Sequence, residues 1–474
     1  MTETDLKALA PVIVLAASVV VVMLVSAFYR RPRWLAGLTL GGLALSLAFF
    51  PLAASVEPHQ ATPLVIVDQY ALVYTALVLA ATAAVVVFAY SYLRGEEQAE
   101  FYILLLLAAL GSSVLVMSSH FASFFLGLEI LSVSLYGLIA YRRDSAHALE
   151  AGIKYLTLAA ASAAFLLFGM ALIYADRGTM AFDAIATTGA SPSALWLVGL
   201  GLMLVGFGFK LAVVPFHMWV PDVYEGAPAP VAAFVATVSK GAVFALLLRF
   251  SARVDIPAQH ALYQLLGLIA VASMFGGNLL ALMQPNVKRL LAYSSIAHLG
   301  YLIVAFLASG ERAVTAATFY LVAYFITTLG AFGVMSALSG PARDADSLDD
   351  YRGLFWRRPA LAAVMAASLF SLAGIPLTAG FVGKFYVLLT GAESELWLLS
   401  LALVLSSAIG LYYYLRVVVT MYLQPEEKRE PTAAPAQSLA GSLVLGALTL
   451  GLVWLGVYPA PLIDMIQGVV SKLV

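Results

Sequence analysis

The sequence predicts an all-α polytopic membrane protein of about fourteen transmembrane helices. Three observations carry this prediction. Of the 474 residues, 62% are hydrophobic and only 11% charged, with a mean hydropathy of +0.96; a soluble globular chain carries roughly 25% charge. Apolar runs of about 20 residues, long enough to cross a bilayer as a helix, recur from one end of the chain to the other. The polar stretches between them are short, and none is large enough to fold as a soluble domain. A β-barrel would instead show alternating segments of about 10 residues.

Run length and helix breakers place the spans near 8–28, 34–54, 68–92, 101–118, 121–141, 152–174, 194–219, 229–250, 260–284, 290–309, 313–338, 359–390, 396–422 and 437–463. The first run lacks a basic start and a small-residue cleavage site, so it reads as a retained helix. A net charge of −1 gives no footprint for nucleic acid. The chain has no cysteine, which excludes disulfides and thiolate-held iron–sulfur or zinc sites.

Basic residues set the expected orientation. Of the 25 Lys and Arg, 14 fall in loops after odd-numbered spans, among them Arg30, Arg31, Arg33, Arg142, Arg143, Lys288, Arg289, Arg357, Arg358, Lys428 and Arg429. Six lie on the opposite side, with Arg249 and Arg253 as a local exception, and five lie within spans. The positive-inside rule then puts both termini outside the cytoplasm.

The seventh and twelfth spans are longer than a bilayer needs, and each contains a proline: Pro215 in KLAVVPFHMW and Pro376 in SLAGIPLTAGFVGKF. Proline removes a backbone donor and breaks or kinks a helix. Each break has a lysine nearby, Lys210 before the first and Lys384 after the second. The five-span spacing suggests two inverted five-helix repeats with broken helices 7 and 12, a plan that places polar sites near the midplane. The expected division is a three-helix segment over 1–95, a first repeat over 96–252, a second over 253–425 and a last helix over 426–474.

An ionisable side chain at the centre of a membrane helix costs about 2.5–3.5 kcal/mol on insertion scales, so such residues mark function. Glu129 lies mid-way along the fifth span, in FFLGLEILSVSLYG, and is expected to pair with a lysine on an adjacent helix; a purely structural carboxylate would be an expensive way to fill the space. Lys210 and Lys240 are the best proton carriers, because a desolvated lysine can release its proton and a nearby carboxylate can hold it. Lys240 sits too deep to snorkel. Lys384 follows the second break between small residues that admit close packing or water. Lys154 lies nearer a helix end, where snorkelling competes with function. His217 and His298 can relay protons near neutral pH, but a lone helical histidine is often only a satisfied core residue. His298 shares a polar helix face with Ser294, Ser295 and Tyr301.

Two stretches, GFKLAVVPFHMWVPDVYEGAPAPV and LLAYSSIAHLGY, carry a resemblance. Through them the chain resembles the antiporter-like membrane subunits of respiratory complex I (NADH-quinone oxidoreductase), and within these the N-type branch; the related Mrp-type cation/proton antiporters share the second stretch. The resemblance runs from the third span to the thirteenth. M-type and L-type members typically differ after the PFH motif, and the M-type usually has glutamate where Lys384 stands. The resemblance implies fourteen helices and an inverted repeat. It also implies an ion pair between Glu129 and Lys210, a central Lys240, and Lys384 towards the exit half-channel. Lys154 matches a lysine of less settled role, and His298 matches a position on a central hydrophilic axis.

The expected function is therefore proton translocation, as a membrane subunit of a proton-translocating NADH-quinone oxidoreductase of the respiratory chain. With no glycine-rich nucleotide loop and no paired histidines at haem spacing, no redox cofactor is expected in this chain. The resemblance puts NAD, FMN, iron–sulfur clusters and quinone in partner subunits, with M-type and K-type subunits as neighbours in a bacterial inner (plasma) membrane. The rival readings are an Mrp-type sodium/proton antiporter subunit, which needs no electron supply, and a passive membrane scaffold, in which the lysines would be dispensable.

Overall fold

A computed structural model describes residues 2–94, 96–187, 193–254, 259–340, 343–424 and 438–473. Lys428 and Arg429 of the charge count lie outside the described residues. Thirteen helices among the described residues are long and apolar enough to cross a membrane: α1 (Glu3–Phe28), α2 (Pro32–Ala54), α3 (Gln69–Tyr92), α4 (Ala99–Met117), α5 (Phe121–Ile139), α6 (Ala146–Arg177), α7 (Ala194–Leu211), α9 (Ala229–Arg253), α10 (His260–Leu282), α11 (Val287–Ala308), α12 (Gly310–Leu338), α15 (Trp397–Tyr422) and α16 (Leu439–Val457). A short helix α8 (Trp219–Gly226) follows α7. The expected twelfth span is divided into α13 (Pro359–Ala373) and α14 (Ala379–Glu393), each of 15 residues and too short to cross alone.

The helix starts follow local chemistry. Side chains of Asp68, Ser145, Ser193, Asn286 and Thr378 accept the free N–H groups of α3, α6, α7, α11 and α14. His120 does the same for α5, its Nδ1 accepting from Ala122 N at 3.1 Å. Close helix pairs meet through glycine. A Cβ on Gly111 of α4 would fall 2.8 Å from the Gly127 carbonyl of α5, and one on Gly169 of α6 would fall 2.6 Å from the Gly199 carbonyl of α7. Small residues let membrane helices approach to backbone contact in this way. Helices α9, α11 and α12 are almost wholly enclosed and form the centre, while α1, α6 and α16 lie outermost.

The two breaks are built alike. Helix α7 stops at Leu211, where Ala212 adopts φ 61°, and Pro215 lies in the turn before α8. Val214 N donates instead to Ser273 Oγ at 2.9 Å, and the Trp219 indole donates at 3.0 Å to the Phe209 carbonyl, which also receives Ala212 N. Helix α13 stops at Ala373 with Gly374 at φ 83°, a left-handed value that glycine adopts without strain. Here the last carbonyls of the helix, those of Leu372 and Ala373, receive Lys384 Nζ at 2.8 and 3.0 Å.

Two features depart from the sequence expectation. A two-stranded antiparallel hairpin, β1 (His59–Thr62) and β2 (Val65–Val67), interrupts the all-α pattern. It is tied to the start of α1 by His59 Nε2 and Asp5 Oδ1 at 2.7 Å. The last span was expected over 437–463; α16 ends at Val457, and Pro459 starts a separate helix α17 (Ala460–Val470), which buries Ile463, Ile466, Val469 and Val470 and exposes its other face. The Arg249 exception also has a cause. Its guanidinium is buried and clasps Asp68 through two bonds of 2.7 Å, while Nε donates to the Val116 carbonyl at 3.0 Å, so it marks an internal ion pair and not a loop charge.

Candidate functional site

Apart from Lys288, which pairs with Asp344, three lysines are buried among the described residues, Lys210, Lys240 and Lys384, exposed by 4%, 1% and 8%. None is in ion-pair contact with a carboxylate among the described residues. Each instead holds hydroxyls or carbonyls.

Lys210 occupies the last turn of α7, just before the first break. Its Nζ donates to Ser132 Oγ at 2.6 Å, with the Tyr155 hydroxyl at 3.4 Å and the Tyr155 ring centroid at 5.3 Å. The expected contact with Glu129 is not made. Glu129 is half-buried on α5, one turn from Ser132 on the same helix face.

Lys240 follows a wide, π-type turn over Val235–Ser239 inside α9. Such turns shift the helix register and are common at functional sites. Its Nζ reaches Ser295 Oγ of α11 at 2.7 Å, and the Tyr224 ring of α8 lies 5.5 Å away. The same serine oxygen lies 2.8 Å from the Tyr324 hydroxyl and 3.4 Å from the Tyr224 hydroxyl.

His298 is buried one turn further along α11. Its Nδ1 meets the Tyr320 hydroxyl at 2.6 Å and its Nε2 the Tyr414 hydroxyl at 3.2 Å. Tyr414 also bonds Ser294. Next to it lies a small cavity of about 10 Å³ lined by His298, Tyr320, Ala323, Tyr324, Thr327, Ser371, Leu372 and Gly380, about the room one water needs. Beyond it, Lys384 Nζ bonds Ser407 Oγ at 2.7 Å as well as the two α13 carbonyls. Its ammonium sits 5.2 Å from the Tyr301 ring, whose hydroxyl receives Asn278 Nδ2 at 2.9 Å.

Two of the expected site residues stand apart from this row. Lys154 is 42% exposed and pairs with Glu150 and Asp222, each at 2.7 Å. His217 lies half-buried in the turn of the first break, and no hydrogen bond or ion pair joins it to the lysines among the described residues. What sequence reasoning missed is the hydroxyl scaffold: Ser132, Tyr155, Tyr224, Tyr320, Tyr324, Ser407 and Tyr414. The i,i+4 pair Tyr320 and Tyr324, and Ser295 within LLAYSSIAHLGY, were the available signals.

The arginine-rich end carries a second polar region. A cavity of about 950 Å³ is walled by Glu96, Glu97, Glu100, Arg142, Asp144, Glu225, Arg343, Asp344 and Asp346, among others. Arg289 bridges Asp222 and Glu225 at 2.8 Å each. Burial pushes the Asp222 carboxyl up, but hydrogen bonds from Lys154 and Arg289 outweigh it and the net position is below the usual range. Asp346 goes the other way, since its burial outweighs the bond from Asn286. Among the described residues no group of three or more His, Asp or Glu is gathered as a metal would need.

The fold and this interior define a polytopic helical membrane protein built around a polar row with a lysine at each of two helix breaks. Residues 118–410 match the NADH:quinone oxidoreductase/Mrp antiporter transmembrane family. The chain is 51% identical over 478 residues to NADH-quinone oxidoreductase subunit N of Ectopseudomonas mendocina (strain ymp), covering 98% of this chain and 97% of that protein. It belongs to the subunit N family of NADH-quinone oxidoreductase. Its fold matches a chain of respiratory complex I from Thermus thermophilus with a TM-score of 0.83 and 34% identity, covering 96% of this chain and 98% of that one. A chain of the Mrp complex from Dietzia sp. DQ12-45-1b shares the fold with a TM-score of 0.88 at 21% identity, covering 100% and 98%.

Proposed function

We propose that this chain translocates protons as a membrane subunit of NADH-quinone oxidoreductase, while electron transfer from NADH to quinone takes place in other subunits. The observation that carries this reading is the row of interior lysines without carboxylate contact. A buried ammonium costs several kcal/mol, and the same space filled by an apolar residue would cost nothing, so the lysines are there to change state.

In this reading the arrangement with Lys210 on Ser132 is one state of a switch. A signal from neighbouring subunits, M-type on one side and K-type on the other, moves Glu129 onto Lys210 or away from it. Pairing holds the Lys210 proton, and separation releases it through water to Lys240 and past His298 to Lys384. In this reading the two breaks belong to an inverted repeat over 96–252 and 253–425, and both termini lie on the non-cytoplasmic side of a bacterial plasma membrane.

The test is proton translocation per NADH oxidised in vesicles carrying the assembled enzyme. Lys240→Ala should assemble yet lower that ratio and the coupled quinone turnover. A normal ratio in the assembled variant would overturn the reading. The rival antiporter reading predicts sodium/proton exchange without any electron donor in the same vesicles.

A further inference from the structure

We propose that Ser295 and Tyr324 form a hydroxyl relay that carries the proton from Lys240 into the one-water cavity beside Lys384, so that the step between the two lysines does not depend on the His298 imidazole. This rests on the proton-translocation reading above.

The geometry is specific. Ser295 Oγ stands between Lys240 Nζ at 2.7 Å and the Tyr324 hydroxyl at 2.8 Å. A serine hydroxyl accepts two hydrogen bonds and donates one. Lys240 and the Tyr324 hydroxyl both donate to Ser295 Oγ here, so the line conducts away from Lys240 once the Tyr324 hydroxyl swings round to accept and the serine donates its own proton to it. The Tyr324 ring lies on the cavity wall. So does Leu372, whose carbonyl Lys384 Nζ holds at 2.8 Å. The cavity is therefore bounded by the relay on one side and by a ligand of Lys384 on the other. Its wall also offers Thr327 and Ser371, whose hydroxyls lie 2.9 Å apart. A water there would have the two to four polar partners it needs.

The proton balance is that of a chain of hops. Lys240 gives Nζ–H⁺ to Ser295 Oγ as the serine's own proton moves to Tyr324. The phenol passes its proton to the cavity water, which delivers one to the Lys384 amine. Lys240 loses one proton, Lys384 gains one, and each hydroxyl ends with as many protons as it began. The tilt of His298 against Tyr324, with ring centroids 5.4 Å apart, leaves the imidazole beside this line, held by Tyr320 and Tyr414.

The experiment compares Lys240→Ala, Ser295→Ala, Tyr324→Phe and His298→Gln in the assembled enzyme in vesicles, with assembly checked on native gels. Tyr324→Phe removes one oxygen and keeps the ring, so packing is retained. It should slow proton translocation about tenfold, below the range a positioned proton-transfer group commonly supplies because water can partly substitute. It should also change the solvent deuterium isotope effect on coupled turnover, which a purely structural defect would not move. Ser295→Ala should behave alike and Ser295→Thr should recover most of the rate. His298→Gln should retain more translocation than Tyr324→Phe. If Lys240→Ala abolishes translocation while Tyr324→Phe leaves both rate and isotope effect unchanged, the relay is overturned and the broader reading stands. If Lys240→Ala translocates normally, the broader reading falls with it.

Discussion

Lys288 and Asp344 form an ion pair with both side chains withdrawn from solvent, exposed by only 1% and 8%. The Lys288 ammonium also bonds the carbonyls of Glu225 and Ala227 at 3.1 and 2.7 Å, fixing the turn between α8 and α9. The carboxylate of Asp344 accepts from the Tyr92 hydroxyl and lies 3.6 Å from Arg142. One pair thus ties the ends of α3, α5, α8 and α11 to the loop after α12 at the wall of the large arginine-rich cavity.

Burial alone would push the Asp344 carboxyl up, but Lys288, Tyr92 and Arg142 outweigh it, and the net position is below the usual carboxylate range. With the folded value lowered, the pair's contribution is complete above the unfolded carboxyl's range and is lost as pH falls through the folded value. Asp344→Asn should remove it at neutral pH and leave Lys288 charged and buried, a change worth about 3–5 kcal/mol. Thermal unfolding of the purified enzyme would report this as early release of the subunit. An equally stable variant at neutral pH would show that the clamp is ornamental.

Lys154 should behave differently from the interior lysines. Its partners Glu150 and Asp222 are, like itself, partly solvated, and exposed pairs contribute about 0.2–1 kcal/mol. Lys154→Ala should therefore change proton translocation and stability little. A loss as severe as that of Lys240→Ala would place Lys154 on the proton route.

The contact between Lys210 and Ser132 makes a prediction that separates serine from glutamate. Ser132→Ala removes the present partner at 2.6 Å and should favour the Glu129-paired state, slowing release of the proton. Glu129→Gln removes the carboxylate one turn from Ser132 on α5 and should lower translocation without disturbing the serine contact. Lys210→Arg keeps a charge that cannot be given up and should abolish translocation. Proton uptake measured in vesicles, beside native gels for assembly, distinguishes these. Unchanged translocation in Ser132→Ala and Glu129→Gln together would remove the switch.

The helical plan was legible because a bilayer imposes one period and one length on every span. Both breaks were legible because Pro215 and Pro376 cannot continue a helix. The chemistry was legible where it costs most, at Lys210, Lys240 and Lys384. What could not be read was partnership. Ser132, Tyr324 and Ser407 are ordinary in sequence, and only packing decides that Lys210 meets Ser132 before Glu129. The wide turn at Val235–Ser239 has no composition cue either, since Val, Ala, Thr and Ser suit an ordinary helix. The β-hairpin is a few residues of Val, Ile and Thr in a connecting loop, too short for an alternating pattern to stand out.

Orientation can be tested cleanly because the chain has no cysteine. The start of α1 and the loop that holds Ser347 lie at opposite ends of the bundle if the positive-inside count holds. Thr2→Cys should react with a membrane-impermeant thiol reagent only from the non-cytoplasmic side, and Asp349→Cys only from the cytoplasm. The reverse pattern would invert the direction of every step above.

Lys384 has two roles that mutation can separate. Its ammonium closes the end of α13 by taking the Leu372 and Ala373 carbonyls, and it is the proposed receiver of the proton. The last carbonyls of a helix lack intrahelical donors and carry the negative end of its dipole, so a cation is well placed there. Lys384→Met leaves the Leu372 carbonyl without this donor and the Ala373 carbonyl with Ser407 Oγ at 3.4 Å, and removes the proton carrier; it should lose translocation and about 1–3 kcal/mol of stability. Gly374 tests the cap from the other side. It needs φ 83°, and a Cβ there would fall 2.9 Å from Lys384 Cδ, so Gly374→Ala strains the turn and displaces the lysine while its amine remains. Gly374→Ala should reduce translocation only partly, because the carrier is moved and not deleted. If Lys384→Met lowered stability but left protons per NADH unchanged, Lys384 would be a helix cap alone, and the proton would have to leave the cavity by another group.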